Sequence, residues 1–464
     1  MENKKGIKRY IGDKAFYKSV FAIIIPIMLQ QLFLSLAGYI DTLMINSYGG
    51  NSFAYMGVSA ANKIIFVGNF ITLGIISAVA IFIAQYFGAG NKNKVKESFR
   101  LSLYLMIITG IIQCIVIKIF GYKVVDSYIE NEIARQCGYR YLDVICYGQI
   151  FVSIDMALAN AYRTIQRPTI PLVIGIIGIG VNIFFNYCMI FGHFGFNENG
   201  AAGAAIATVI SKIVEIVLYV FATILFKIDW LRRPFKKLKI TKELMKKFVV
   251  RGTPVILNEV FWSVSMVLLT KFYTYGNDMW YNAYAYTENI TDLFFIVFAG
   301  LGNGTAIIIG SSLGNNEFDK AITQSYYFKG LAVIMGLFTG ILMALTSGLT
   351  SRILTSDPEM LSIMSDVLKV TSIFTSIYCY NSVCFFILRS GGDSYRAIIL
   401  DQTPTYLVGL PIAIIFGINA SKWGTTIIET YLFTHVLDIV KLFLSNSFVK
   451  QNKWVKNLTI RNQI

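Results

Sequence analysis

Long apolar stretches alternate with short polar breaks along almost the whole chain, beginning near residue 17 and ending near residue 447. A helix that crosses a bilayer needs roughly 20 apolar residues. The runs near 17–45, 54–88, 97–120, 137–161, 168–192, 201–226, 248–274, 281–313, 322–346, 360–388, 396–418 and 424–447 each supply them. Lipid offers no partner for backbone N–H and C=O groups, so each run has to satisfy its own as a helix. The pattern therefore predicts an all-α integral membrane protein with twelve transmembrane helices, and little of the 464-residue chain is left for a soluble domain.

The pattern also repeats. An offset of 226 residues places Gly88 on Gly314, Lys94 on Lys320 and Arg163 on Arg389, and an offset of 228 places Pro26 on Pro254. Matches at equal depth and in the same direction imply two parallel, pseudo-symmetric six-helix bundles. The expected organisation is an N-terminal bundle over 1–226, a basic cytoplasmic linker over 227–247, and a C-terminal bundle with a cytoplasmic tail over 248–464. A substrate path is expected between the halves.

Composition supports the lipid setting, with 55% hydrophobic and only 14% charged residues. The 41 Lys+Arg exceed the 26 Asp+Glu, a net charge of +15. That excess is spread over short loops, the arrangement of cytoplasmic loops beside a membrane, so no nucleic-acid partner is expected. The densest stretch carries Lys227, Arg232, Arg233, Lys236, Lys237, Lys239, Lys242, Lys246 and Lys247. The alternate loops, such as Gly192–Gly200, Tyr275–Trp280 and Thr355–Glu359, are neutral or acidic. The positive-inside rule then puts both termini in the cytoplasm of a multi-pass cell-membrane protein. The basic N-terminus runs into an apolar segment longer than a signal-peptide core and shows no small-residue cleavage site, so it is read as uncleaved.

Candidate chemistry is sparse. The six cysteines form no CxxC pair, and His193 and His435 are too far apart in sequence to suggest a metal site. No G-x-x-x-x-G-K-[ST] loop is present to cradle ATP, which points to an ion gradient as the energy source. No cluster of His or Asp at the cytoplasmic ends suggests an enzyme, so no catalytic residue, metal or cofactor is expected.

Several ordered motifs identify the family. Ile25-Pro26-Ile27-Met28, Ile40-Asp41-Thr42 and Gly49-Gly50 resemble the opening of multidrug and toxic compound extrusion (MATE) transporters. Ala161-Tyr162-Arg163-Thr164-Ile165-Gln166-Arg167-Pro168, Val181-Asn182 and Gly203-Ala204-Ala205-Ile206-Ala207-Thr208 are similar to their fourth to sixth helices. Pro254-Val255-Ile256-Leu257-Asn258-Glu259 and Leu388-Arg389-Ser390-Gly391-Gly392-Asp393 match the second half. The resemblance implies a monomeric antiporter that exports amphiphilic or cationic small molecules by alternating access, in exchange for protons or sodium ions. A lipid-linked oligosaccharide flippase of the same superfamily is the alternative, and a membrane-embedded enzyme a more distant one.

An acidic side chain inside hydrocarbon costs about 2.5 to 3.5 kcal/mol on insertion scales, so each one needs a reason. Asp41, near the outer end of the first span, matches the aspartate that binds the coupling cation in related transporters. Asn160, Asn182, Asn186 and Thr208 match the polar cluster around it, and Asn182 and Asn186 lie four apart on one helix face. Relatives with a proton site often carry a second acid where this chain has Asn186, which leaves Asp41 as the main titrating group there. Glu259 resembles the glutamate of a sodium site in another branch, but Asn381 stands where that branch has an aspartate. Glu288, Asp292 and Asp401 are further candidates to line a cavity and attract cations, with ion pairing near helix ends as the plainer role. Asp155 and the Lys212–Glu215 pair complete the intramembrane charges. Their spacing favours a local salt bridge, although Lys212, four residues after Thr208, is also placed to reach Asp41.

Overall fold

A computed structural model describes residues 6–48, 53–234, 239–355 and 357–460. Gly49, Gly50, Lys236 and Lys237 of the sequence motifs lie outside the described residues. The described part is helical and without strands. The first bundle contributes α1 (Lys14–Asn46), α2 (Phe53–Gly88), α3 (Lys92–Tyr128), α4 (Glu132–Thr164), α5 (Thr169–Phe191) and α6 (Gly200–Leu225). The second contributes α7 (Lys242–Tyr273), α8 (Asp278–Gly314), α9 (Phe318–Leu354), α10 (Pro358–Ser390), α11 (Ser394–Pro404), α12 (Leu410–Trp423), α13 (Ile427–Thr434) and α14 (Val436–Lys450).

Eleven helices among the described residues are long and apolar enough to cross a membrane, and α11 with α12 makes the last of them, Ser394–Trp423. Inside it, Pro404 has no N–H to give to the preceding turn, and the backbone widens into a π turn over Thr405–Gly409. The Thr405 hydroxyl donates to the Asp401 carbonyl at 2.8 Å, so that acceptor stays satisfied in the apolar setting. The twelfth span is interrupted at His435, which leaves pieces of 8 and 15 residues, α13 and α14.

Helix starts follow from their capping residues. The Asn91, Asn131 and Asn277 side chains accept from the backbones of Lys94, Ala134 and Trp280 at the heads of α3, α4 and α8. Asp357 accepts from Glu359 and Met360 just ahead of Pro358, and Thr426 forms a capping box with Glu429. Each cap is worth about 1 kcal/mol.

The sequence repeat is written into the turns. After α2 the chain is left-handed at Gly90 and Asn91 N–H donates to Tyr86 C=O at 3.0 Å; 226 residues later Asn316 is left-handed and Glu317 N–H donates to Ser312 C=O at 3.0 Å. The same holds after α4 and α10. Gln166 and Gly392 are left-handed, Arg167 N–H reaches Tyr162 C=O at 2.9 Å, and Asp393 N–H reaches Leu388 C=O at 3.0 Å. Both pairs are the helix-terminating motif in which a residue beyond the cap returns to the last turn.

The chain forms two compact units, one of Ile25–Phe87 and Asn91–Phe248, the other of Met1–Ile24, Gly88–Gly90 and Val249–Ile464. In the first, α3 packs on α4, α4 on α6, and α5 on α6. Gly110 lets α3 approach α4 so closely that a β-carbon there would lie 2.6 Å from the Ile150 Cα. In the second, α10 is the hub for α8, α9 and α14, and Gly336 plays the same part against Ser376. Small residues at helix crossings are the lipid-phase substitute for a hydrophobic driving force.

The unit boundary cuts through α1. Phe16 meets the rings of Tyr327 and Phe328 edge-on, Arg9 lies over Tyr326, and Ile24 fills the space beside Gly304, so the chain up to Ile24 belongs with the second bundle. From Ile25, one residue before Pro26, the same helix belongs to the first.

Candidate cation and substrate residues

In the first unit, three helices bring Asp41 and its polar neighbours together. Asn186 on α5 donates Nδ2 to Asp41 Oδ1 at 2.7 Å and to Asn182 Oδ1, one turn earlier, at 3.1 Å. Asn182 Nδ2 in turn faces Thr208 Oγ1 on α6 at 3.5 Å, the outer limit of a hydrogen bond. Thr208 spends its proton on the Ala204 carbonyl at 3.0 Å, which leaves its oxygen as an acceptor. Asn186 is only 1% exposed, and its Oδ1 is buried with no partner among the described residues. No lysine or arginine among the described residues pairs with Asp41. The result is a half-buried carboxylate beside a set of neutral oxygens, a donor set suited to a proton or a hard monovalent cation.

Asn160 is not bonded into this chain: its Nδ2 points to the Ile76 carbonyl on α2 at 3.4 Å. Lys212 does not reach Asp41 either. Its ammonium sits between Asp155 at 3.2 Å and Glu215 at 2.8 Å, the local pairing that spacing favoured with Asp155 added. Gly178 on α5 makes room for this triad, since a β-carbon there would collide with the Glu215 carboxylate. Arg163 holds Gln30 Oε1 with Nε and a terminal nitrogen at 3.0 and 2.7 Å, and so fixes α1 against α4 four residues beyond Pro26.

The second unit treats its acids differently. Glu259 is paired with Arg389 at 3.2 Å, and the arginine is 4% exposed. Asp401, in the last turn of α11, is paired with Lys441 at 2.9 Å and accepts from Asn258 at 3.2 Å and Gln402 at 2.7 Å. Both carboxylates are therefore neutralised inside the bundle. Asn381 does structural work, giving Nδ2 to the Asp438 carbonyl at 3.0 Å and accepting from Ser445 at 2.9 Å, so that it ties α10 to α14. Glu288 lies at 3.5 Å from the Thr270 hydroxyl. Asp292, one turn further along α8, is exposed and has no basic partner among the described residues. No group of three or more His, Cys, Asp or Glu able to hold a metal occurs among the described residues.

Sequence reading missed Gln30, Asn258, Lys441 and the His435–Asp438 pair. A signal existed for each of them in the form of polar or charged residues inside apolar runs. What was missing was the partner, because Asp401 and Lys441, or Gln30 and Arg163, meet only through tertiary packing.

Comparison with known proteins agrees with this layout. The MatE family model matches residues 26–188 and 254–417, two stretches that start at Pro26 and Pro254. The chain is 25% identical over 445 residues to the probable multidrug resistance protein NorM of Thermotoga maritima, covering 94% of this chain and 93% of that protein. It is 25% identical over 412 residues to the uncharacterized transporter YisQ of Bacillus subtilis, covering 88% and 89%. Its fold is similar to an outward-facing multidrug resistance MATE transporter of the MOP superfamily, with a TM-score of 0.82 at 18% identity over 98% of this chain and 100% of that one.

Proposed function

Because the chain belongs to the MatE family of membrane transporters, we propose that it is a secondary active exporter of amphiphilic or cationic small molecules, driven by proton or sodium influx through alternating access. The observation that carries this reading is the Asp41 cluster: a carboxylate in a spanning helix with no cationic partner among the described residues, supported by Asn186, Asn182 and Thr208. Such a group persists in lipid when it is protonated part of the time or holds a cation, and either state gives a gradient something to load. Loading drives transport when the two orientations of the transporter bind the ion with different affinity. Pro26, fifteen residues earlier in α1, gives that helix a place to bend, so occupancy of Asp41 can be passed to packing.

Acceptance of cations is supported by Asp292, which lacks a basic partner among the described residues, and by the aromatic side chains around it, such as Phe295 stacked on Tyr378 at 4.8 Å. An unneutralised acid, in place of a strongly basic lining, does not favour a flippase for anionic lipid-linked sugars. The reading includes a monomer in the cell membrane with both termini in the cytoplasm. The test is gradient-driven dye transport, read as uptake into inside-out vesicles or as movement across proteoliposome membranes, with proton or sodium gradients imposed separately. Export that requires one of the gradients supports the reading, and export that survives collapse of both sinks it.

A further inference from the structure

The twelfth span holds a titratable pair that the Asp41 mechanism does not use. His435 Nδ1 lies 2.7 Å from Asp438 Oδ2 at the point where the helix is interrupted. There the backbone tightens: His435 N–H is shared between the Tyr431 and Leu432 carbonyls at 3.3 and 3.2 Å, and Asp438 N–H donates to the His435 carbonyl at 3.0 Å. A tight turn inside a spanning helix is a common mark of a hinge. The imidazole lies flat on Phe374, with centroids 4.8 Å apart and planes at 12°, and meets Tyr431 edge-on at 4.6 Å.

A histidine kept only for packing in an apolar core has both ring nitrogens satisfied. Here Nε2 is buried and has no hydrogen-bond partner among the described residues. With Nδ1–H given to the carboxylate, Nε2 carries a free lone pair. Asp438 is itself 3% exposed and pairs with no cation other than His435 among the described residues. Among the described residues, the groups that face the pair carry no positive charge. They are Tyr431 on α13, Tyr273 from α7, Tyr284 and Glu288 from α8, and Tyr378 from α10. α12 contributes the apolar Leu410 and Ala413, and α14 places its Lys441 on Asp401. A proton arriving on Nε2 would convert a buried anion with a neutral partner into a neutral ion pair, among acids and tyrosines that welcome positive charge.

We propose that His435 and Asp438 form a proton-binding site within the second bundle, with the proton taken by His435 Nε2 and its charge balanced by Asp438. In this step an N–H bond forms at Nε2 as an O–H bond of a hydronium ion from solvent breaks, leaving water, and the proton returns to water when the site releases it. Its use in transport rests on the exporter reading above, whereas the binding itself does not.

The chain has two histidines, so His193→Gln leaves a single ring to observe. His193 stacks on Tyr187 in the loop after α5 and takes no part in either site. In nitrogen-labelled His193→Gln protein in lipid nanodiscs taken from about pH 9 to about pH 5, the His435 ring signals should show the doubly protonated imidazole as well as the neutral one, and Asp438→Asn should change the balance between them. A ring fixed as one neutral tautomer over that whole range overturns the proposal. In proteoliposomes, His435→Gln and Asp438→Asn should each flatten the pH profile of dye export, with a fall of about tenfold under an imposed proton gradient. Export with the wild-type pH profile in both variants overturns the transport role. Titration of His435 in a protein that exports nothing would sink the exporter reading and leave the proton site standing.

Discussion

At the residue scale, two neighbouring clusters of the first unit predict opposite responses to substitution. Asp41 has Asn186 as its hydrogen-bond partner and no counter-ion among the described residues, so Asp41→Asn keeps size and one hydrogen bond while removing the exchangeable charge. The expected cost in stability is about 1 kcal/mol. Gradient-driven dye accumulation should fall to the level of empty membranes, measured at matched expression. Glu259→Gln is the control, since Glu259 is already neutralised by Arg389; normal export by Asp41→Asn with loss in Glu259→Gln would move the coupling site to the second bundle. The Asp155–Lys212–Glu215 triad behaves differently. Lys212→Met would leave two buried carboxylates facing each other, a loss of about 3 to 5 kcal/mol. A marked drop in melting temperature should follow, partly restored by adding Glu215→Gln; an unchanged melting temperature in the single variant would mean that the triad contributes nothing to the fold.

At the scale of elements, the chain end past α14 is part of the fold. Trp454 is fully buried, its indole donates to the Val449 carbonyl at 3.1 Å, and Asn457 Nδ2 reaches Gly314 C=O at 3.1 Å and Asn316 Oδ1 at 2.7 Å. The tail therefore closes on two turns, after α8 and after α10, that carry the internal repeat. At the second of these, a β-carbon at Gly391 would overlap the Trp454 carbonyl. Gly391→Ala should lift the tail, and trypsin should cut at Lys453 and Lys456 faster by about tenfold for every 1.4 kcal/mol by which the docked tail is weakened. Wild-type cleavage kinetics would show that the tail is held elsewhere. The linker is anchored in the same manner. Arg100 donates to the Pro234 and Lys239 carbonyls at 2.6 and 2.8 Å, and Glu97 accepts from Thr241 N–H at 2.7 Å. A cysteine placed at the exposed Lys239 should be protected from an impermeant thiol reagent in intact cells and react in inside-out vesicles; labelling from outside would reverse the orientation.

At the scale of the whole molecule, each half begins inside the other's compact unit. The first helix changes unit between Ile24 and Ile25, and the seventh between Phe248 and Val249. Pro26 and Pro254 follow closely in each case. Helices that change allegiance next to a proline have a place to flex where the preceding turn has lost a hydrogen bond. Pro26→Ala restores that bond, and an interior proline costs about 3 kcal/mol in a helix. The variant should melt higher and export more slowly. A faster or unchanged export rate would separate this proline from the transport cycle.

Twelve spans, their helical state and the division into two repeated halves were legible in the chain itself. They rest on local physics, because a run of apolar residues as long as the bilayer is thick has few alternatives, and repeated glycines, prolines and arginines at fixed offsets mark repeated turns. The interruption at His435 was not legible, since an apolar run does not say where its ladder tightens. The family resemblance pointed to Asp41, Asn182, Asn186 and Thr208, and packing joins them. The resemblance also pointed to Glu259, and a carboxylate inside an apolar run to Asp401, yet Arg389 and Lys441, 130 and 40 residues away in sequence, neutralise them. A carboxylate's cost in lipid is fixed by its type, but whether that cost is met by a lysine, an amide or an exchangeable ion depends on which helix faces it. That choice belongs to the tertiary structure alone.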